Sequence, residues 1–212
     1  MKDPQSLAVI LAERLKQPLP GLESQLIMAS RKRLKFPLHS SFLSTAKPSG
    51  VLILLYPFRE DICFVLMRRP DYTGVHSGQI SLPGGKFEKH DRDLIATAIR
   101  EAKEEVGIKP SAINIIGILT PLYIPPSNYI VTPVIGWSNQ RPEFMADSRE
   151  VDEIIEVSLT DFLNDHHMKT KRIRLFMGLS ANFPCYYIDR NIIWGATAMI
   201  LSEFRVILKE VI

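Results

Sequence analysis

The stretch GGKFEKHDRDLIATAIREAKEEVGI, residues 84–108, decides the fold prediction because it joins a glycine turn to a strongly amphipathic segment. The period of its apolar residues predicts a helix over residues 92–106, and Gly107 is suited to cap the C-terminal end of that helix. The apolar stripe, which we expect to face the core, consists of Ile95, Ala98, Ile99, Ala102 and Val106.

Three glutamates share the opposite face of this predicted helix, because Glu101, Glu104 and Glu105 lie at positions i, i+3 and i+4. Like charges at this spacing destabilise a helix, and a sequence tolerates them most easily when a cation lies between them. Hard divalent cations such as Mg²⁺ and Mn²⁺ prefer carboxylate oxygens as ligands. The glycine pair Gly84–Gly85, just before the helix, allows the backbone to approach the same place closely.

An ordinary exposed helix face is the alternative, in which Arg100 and Lys103 neutralise the glutamates as surface pairs. On the glutamates alone, we would favour this alternative. The glycine turn, the acidic residues Glu88 and Asp91 and the helix end at Gly107 together favour a metal site instead.

The end of the stretch, REAKEEVGI at residues 100–108, resembles the Nudix box, the signature of hydrolases that cleave nucleoside diphosphates linked to another moiety. The resemblance implies an α/β fold, the Nudix fold, in which a mixed β-sheet is packed between helices as an α/β/α sandwich. It implies that Glu101, Glu104 and Glu105 bind Mg²⁺ or Mn²⁺ and take part in catalysis. It also implies that Arg100 is a catalytic residue that orients these glutamates by pairing with them.

The loop before the helix is one residue longer than in the general Nudix pattern. The usual spacing would place a glutamate at position 92, which is Arg92, and the acidic residue is Asp91 instead. This longer spacer resembles the coenzyme A pyrophosphatase branch of the family. The role of Asp91 is therefore left open.

The segment VLMRRPDYTGVHSGQISLPGG, residues 65–85, resembles the motif that precedes the box in coenzyme A-directed Nudix enzymes. The likeness is carried by Leu66, Arg68, His76, Gly78, Gln79, Pro83, Gly84 and Gly85, with departures at Met67, Pro70 and Leu82. SGVLILLYP at 49–57 and IIWGATAMIL at 192–201 resemble further parts of the same branch. Arginines suit the phosphates of such a ligand. The residues expected to bind substrate are Arg68, Arg69, His76, Gln79, Gly84 and Gly85.

Residues 49–212 are therefore expected to form a Nudix hydrolase domain, and residues 1–48 an N-terminal helical extension packed on its core. Helical spacing of apolar residues predicts helices over 5–16 and 197–210. Two strand-like runs joined at residues 59–61 predict a hairpin, and another turn is predicted at 189–191.

Composition bounds the class of protein. The 212 residues are 46% hydrophobic and 23% charged, which is typical of a globular chain. A net charge of +3 is small for a dedicated nucleic-acid binder, and Cys63 and Cys185 make neither a disulfide framework nor a zinc spacing. The N-terminus lacks a signal-peptide core and the apolar runs are too short to span a bilayer. We expect a cytoplasmic protein that binds neither membrane nor nucleic acid.

The expected activity is metal-assisted hydrolysis of the pyrophosphate bond of coenzyme A or a derivative, giving 3′,5′-ADP and 4′-phosphopantetheine or its acyl form. The partner is thus a small-molecule nucleotide substrate, and a homodimer is left open. The alternatives are a Nudix hydrolase of another nucleoside diphosphate derivative, such as ADP-ribose, and a nucleotide-binding Nudix module without catalysis. The base that activates the water is left open among Glu104, Glu105, Glu150 and Glu153.

Overall fold

A computed structural model describes residues 4–34, 44–71, 77–125, 127–174 and 180–212. Within these ranges the strands are β1 (Lys47–Phe58), β2 (Asp61–Arg68), β3 (Ile80–Ser81), β4 (Gly84–Lys86), β5 (Asn114–Ile118), β6 (Leu122–Ile124), β7 (Tyr129–Trp137), β8 (Glu153–Ser158), β9 (Met168–Arg174), β10 (Ser180–Ile188) and β11 (Asn191–Trp194). The α-helices are α1 (Pro4–Leu15), α2 (Gly21–Leu26), α3 (Arg31–Leu34), α4 (Leu94–Val106), α5 (Leu159–Leu163) and α6 (Gly195–Val211).

The main sheet is mixed, and the parallel pair of β1 and β7 lies at its centre. The described strands run in the order β3–β2–β1–β7–β5, and β4 also pairs with β1, β6 with β7 and β8 with β2. Along β1, Ile53 and Leu55 enter the hydrophobic cluster that includes α6. Leu52 and Leu54 enter the cluster on the opposite face, which includes α4. A sheet buried on both faces explains the uninterrupted apolar run, and the expected α/β/α arrangement is confirmed.

The strands near the C-terminus form a second, antiparallel sheet in the order β11–β10–β9. Both predicted hairpin turns are confirmed. The β1–β2 turn has Arg59 at φ 56°, and the β10–β11 turn has Asp189 and Arg190 at φ 47° and 68°. The short strands β3, β4 and β6 are not marked by any sequence pattern.

Helix α4 begins two residues later than predicted because Asp93 caps it. The Asp93 carboxylate accepts a hydrogen bond from the Ala96 N–H at 2.8 Å, which satisfies one of the free donors of the first turn. At the other end Gly107 adopts φ 75° and its N–H donates to the Lys103 carbonyl. A Cβ at this position would lie 2.8 Å from the Met145 side chain. The predicted glycine cap is therefore confirmed.

The first and last helices of the chain pack together. Leu7 and Leu11 of α1 are buried in the same cluster as Phe204 of α6. The predicted helices over 5–16 and 197–210 are confirmed, as α1 and α6, while the division at residue 48 stays a prediction. No helix in the described part of the chain is long and apolar enough to cross a membrane.

A buried carboxylate joins the N-terminal helices to α6. Glu203 is fully buried and accepts hydrogen bonds from the Gly21 N–H at 3.0 Å, the Gln25 side-chain amide at 2.9 Å and the Thr120 hydroxyl at 2.6 Å. Burying a carboxylate is costly unless it is hydrogen-bonded. These donors make the Glu203 site tolerable and fix α2 against α6.

The phase of α4 is testable with two neighbouring substitutions. Ala102 is fully buried between α4 and the sheet, whereas Lys103 is exposed. We expect Ala102→Asp to lower the free energy of unfolding by about 3 kcal/mol or more, because it buries an unpaired charge. Lys103→Asp should lower it by less than about 1 kcal/mol. Chemical denaturation measures both values, and equal losses would contradict the helix phase.

Candidate active site

The three glutamates predicted to bind metal lie on α4 at very different depths. The exposed fraction of the side chain is 3% for Glu105, 14% for Glu101 and 58% for Glu104. Because α4 packs against β1 and β4, helix positions that turn toward these strands are buried and those that turn away are not. The structure thus places the three carboxylates in one row, from the interior to the surface.

Arg100 bonds to three carboxylates at once. Its Nε and Nη2 donate to the Asp91 oxygens at 2.9 and 3.0 Å, and its Nη1 donates to Glu101 Oε1 and Glu104 Oε2, both at 3.0 Å. Nη2 also donates to the Lys86 carbonyl at 2.9 Å. The planar guanidinium group has five N–H donors, which is enough for the three carboxylates and the Lys86 carbonyl. Arg100 therefore sets the spacing of the acidic groups around it.

Asp91 supports this arrangement from the loop before α4. Its buried carboxylate accepts hydrogen bonds from the Thr97 hydroxyl and the Glu88 N–H, both at 2.9 Å. The bonds from Arg100, together with these two, hold the pKa of Asp91 well below its usual range. The longer loop therefore still brings an acidic residue to Arg100, and Asp91 is that residue.

The expected turn at Gly84–Gly85 is wrong, because both glycines lie in strand β4 and pair with β1. Glu105 is held at this strand. Its Oε2 accepts a hydrogen bond from the Gly84 N–H at 2.7 Å, and its Oε1 lies 3.9 Å from the Arg69 guanidinium. Burial nevertheless raises the pKa of Glu105 to about 8, and burial also raises the pKa of Glu101. Gly84 has φ 151°, and a Cβ there would collide with Val51. Only glycine lets this backbone N–H reach the carboxylate.

The chemistry of this donor set fits a hard divalent cation. A Cβ on Gly85 would collide with the Glu101 carboxylate, so only glycine leaves room for that carboxylate against β4. Among the described residues, no three acidic, histidine or cysteine side chains form a ready-made metal cage. Mg²⁺ is usually held by one or two carboxylates, several waters and substrate phosphates. A partial ligand set of this kind suits it, and metal binding by the three glutamates stays a prediction.

Arg68, one of the residues expected to bind substrate, is engaged within the protein. Its Nε donates to Glu153 Oε2 at 2.9 Å and its Nη2 to Asn191 Oδ1 at 2.6 Å. These bonds join β2 to β8 and to the second sheet. The expected contact of Arg68 with a phosphate stays a prediction. A phosphate would have to compete with Glu153 and Asn191 for the Arg68 guanidinium group.

Arg69, the next residue, lies closer to the glutamates, at the distance from Glu105 given above. Its backbone N–H donates to the Gln79 carbonyl at 3.0 Å, which brings the segment after residue 77 against the end of β2. His76 lies outside the described residues, so its expected role in substrate binding stays a prediction. The structure therefore brings together Arg69, the Gln79 backbone and the two glycines of β4.

Of the two acidic candidates outside α4, Glu150 is the one that acts on the carboxylate row. Its charge contributes to the raised pKa of both Glu101 and Glu105, after the larger effect of burial. Glu153 instead pairs with Arg68. Glu150 is also exposed, so its carboxylate is free to contact water.

The segment that carries Glu150, residues 138–152, is called the strap below. It connects β7 to β8 without forming a helix or strand. It crosses the C-terminal end of α4, where the Met145 N–H donates to the Val106 carbonyl at 3.0 Å. No hydrophobic period marks the strap in the sequence, and its acidic residues are the one signal that points to the site.

Comparisons with known proteins agree with this geometry. A family model described as NUDIX domain matches residues 46–176. An uncharacterized Nudix hydrolase, NudL, of Yersinia pestis (strain Pestoides F) is 32% identical over 165 residues, which cover 78% of this chain and 82% of that protein. A protein of the same name from Yersinia pseudotuberculosis serotype O:1b (strain IP 31758) is similar to the same extent.

Solved structures show the same fold at low sequence identity. A MutT/nudix family protein from Enterococcus faecalis has a TM-score of 0.53 and 14% identity, covering 91% of this chain and 76% of that one. The Nudix hydrolase RenU from M. Smegmatis has a TM-score of 0.51 and 14% identity, covering 78% of this chain and 88% of that one.

The role of Asp91 is testable through the pH dependence of stability. Since the folded-state pKa of Asp91 is depressed, its ionised form stabilises the fold above the unfolded pKa of about 4, and this contribution is lost as the pH falls further. We expect Asp91→Asn to cost the same unfolding free energy at all pH values above about 5 and progressively less below about 4. Denaturant titrations across this range measure the cost. A cost independent of pH would show that the Asp91 charge is not used.

Proposed function

This chain belongs to the Nudix family and is a Nudix hydrolase, and we propose that it cleaves the pyrophosphate bond of coenzyme A or a derivative with a divalent metal ion. The products would be 3′,5′-ADP and 4′-phosphopantetheine or its acyl form. The observation that carries this proposal is the row of Glu101, Glu104 and Glu105 beside Gly84 and Gly85 of β4.

Glu101, Glu104 and Glu105 are proposed to hold Mg²⁺ or Mn²⁺. A metal ion bound by them would offset the charge of the pyrophosphate and lower the pKa of an attacking water. Arg100 keeps Glu101 and Glu104 at fixed positions through its Nη1. Because Arg100 is also anchored to Asp91, the carboxylates cannot move apart under their own repulsion.

Glu150 is the proposed base that takes the proton from the water. It is exposed and lies outside α4, whereas Glu105 is buried and its Oε2 is bonded to the Gly84 N–H. Glu104 is the remaining alternative on the helix. A base must reach the proton it removes. We propose that Glu150 does so, since it is exposed and its charge acts on both Glu101 and Glu105.

Arg69 is the proposed cationic contact for the substrate phosphates, since its guanidinium group already approaches Glu105. Its second function would be to balance the charge of that buried carboxylate. Gln79, His76, Gly84 and Gly85 are proposed to complete the substrate site. Arg68 would add a contact through donors not used by Glu153 and Asn191.

Coenzyme A is proposed over other substrates on two features of the sequence. One is the segment over residues 65–85, and the other is the longer loop before α4 that places Asp91 against Arg100. A module without catalysis is disfavoured because all three glutamates of the helix are present. We further propose that residues 49–212 form the hydrolase domain, with residues 1–48 as an extension, in a cytoplasmic enzyme.

The glutamates are testable by conservative substitution. Glu104→Gln and Glu105→Gln should each lower kcat by at least ~10²-fold, because the metal-binding charge is lost while the shape is kept. Without metal, the melting temperature should hold or rise. Glu105→Gln removes an unfavourably buried carboxylate, and Glu104→Gln removes a like charge beside Glu101. Lys103→Gln, on the same helix and exposed, is the matched control and should keep wild-type kcat. Near-full activity of both glutamate variants would rule out the metal site.

The substrate and the bond cleaved are testable with ¹⁸O-labelled water. We expect label in one phosphate of the products, because metal-assisted attack at phosphorus breaks the P–O–P linkage. The thioester of an acyl form should stay intact, and coenzyme A should exceed ADP-ribose in kcat/KM.

Arg68→Ala and Arg69→Ala should narrow the preference for coenzyme A over ADP-ribose. Mass spectrometry of the products decides the bond. Release of free thiol with an intact pyrophosphate would overturn the proposal, and faster turnover of ADP-ribose would favour the other Nudix substrate class.

A further inference from the structure

An ion pair connects the start of the strap to β8. Arg141, near the start of the strap, donates through Nε to Glu156 Oε2 at 2.9 Å and through Nη2 to Glu156 Oε1 at 2.8 Å. Glu156 lies on β8, just beyond the end of the strap. This bidentate pair fixes direction as well as distance. It closes the loop of chain that carries Glu150.

Aromatic side chains hold Arg141 in this position. Its guanidinium carbon lies 4.8 Å from the centre of the Phe58 ring and 5.3 Å from that of Phe144, within the range of a cation–π contact. Tyr56 donates its hydroxyl to Glu156 Oε2 at 2.9 Å and packs 5.7 Å from the Phe144 ring. The pair is therefore part of a built contact among β1, β8 and the strap, unlike a free surface ion pair.

The strap is tied to the candidate site at its other end. The Asp147 N–H donates to the Glu105 carbonyl, and the Asp152 N–H donates to the Arg68 carbonyl, both at 2.9 Å. Between these two points the Glu150 N–H donates to the Asp147 carbonyl at 2.9 Å. The position of Glu150 is thus set by a chain of bonds that connects α4, the strap and β2.

We propose that Arg141 is a positioning residue, which fixes the start of the strap on β8 and thereby limits the positions that Glu150 can take beside the carboxylate row. This role rests on the proposed function, in which Glu150 takes the proton from water. Removing the ion pair would free the start of the strap to sample more conformations, and the bonds at Met145, Asp147 and Asp152 would then hold Glu150 less tightly. A small displacement of a reacting group is enough to lower the rate of a reaction greatly.

A double-mutant cycle separates this role from a general effect on folding. We expect Arg141→Ala to lower kcat about tenfold with KM changed less than about twofold. Glu156→Gln, which keeps the shape but not the charge, should lower kcat in the same way. In the Glu150→Gln background, Arg141→Ala should cause less than about a twofold further loss, because the group that it positions is already gone.

The matched control is Lys109→Ala, which removes another ion pair to the strap. Lys109 lies 3.7 Å from Glu143 and both side chains are largely exposed, so kcat should stay at the wild-type value. Melting temperatures of all variants are measured, and the assays are run well below them.

An equal loss from Arg141→Ala in both backgrounds would overturn the proposal, since Arg141 would then act independently of Glu150. Wild-type kcat in Arg141→Ala or in Glu150→Gln would overturn it as well. The proposed function fails by different results, namely activity retained in the Glu104→Gln and Glu105→Gln variants, or no cleavage of coenzyme A. The cycle is then measured with whichever pyrophosphate substrate is turned over.

Discussion

The guanidinium group of Arg100 is the interaction on which the candidate site depends. Around it lie Asp91, Glu101 and Glu104, three acidic groups that would repel one another without a cation among them. Arginine keeps its charge at any pH that a protein meets. Lysine carries a point charge and lacks the planar fork, so it would not hold three carboxylates in fixed directions.

The rest of the fold supplies a rigid frame for this interaction. Gly84 pairs with Val51 at the centre of the main sheet, and α4 packs on the same strand. Strand β4 and helix α4 therefore meet over β1, which is buried on both faces. A site that stands on a buried strand and a capped helix keeps its geometry better than one built on loops.

Local patterns were enough to predict the parts of the molecule that depend on local chemistry. The helix α4, its apolar stripe and its glycine cap follow from residues a few positions apart, and the row of glutamates follows from the same helix period. The partners of Arg68 cannot be predicted from local patterns, because Glu153 and Asn191 lie 85 and 123 residues away in the sequence. The strap has no period of its own, and only the folded chain reveals that it lies against the end of α4.

Asp91 is a single residue whose role cannot be predicted from the sequence pattern. In the sequence it stands one position away from the usual spacing, which leaves its role open. In the fold, the Arg100 guanidinium group and the Thr97 hydroxyl both donate hydrogen bonds to the Asp91 carboxylate. The length of the Arg100 side chain makes up for the extra residue in the loop. A sequence motif records the spacing of residues but not how far a side chain reaches.

The buried Glu203 has a consequence for how the chain folds. Its donors on Gly21 and Gln25 lie 182 and 178 residues earlier, and Leu7 shares a cluster with residues of α6. The apolar face of α1 therefore stays uncovered in any folding intermediate in which α6 has not yet formed. Contacts between the two ends of a chain slow folding, and exposed apolar surface invites aggregation in the meantime.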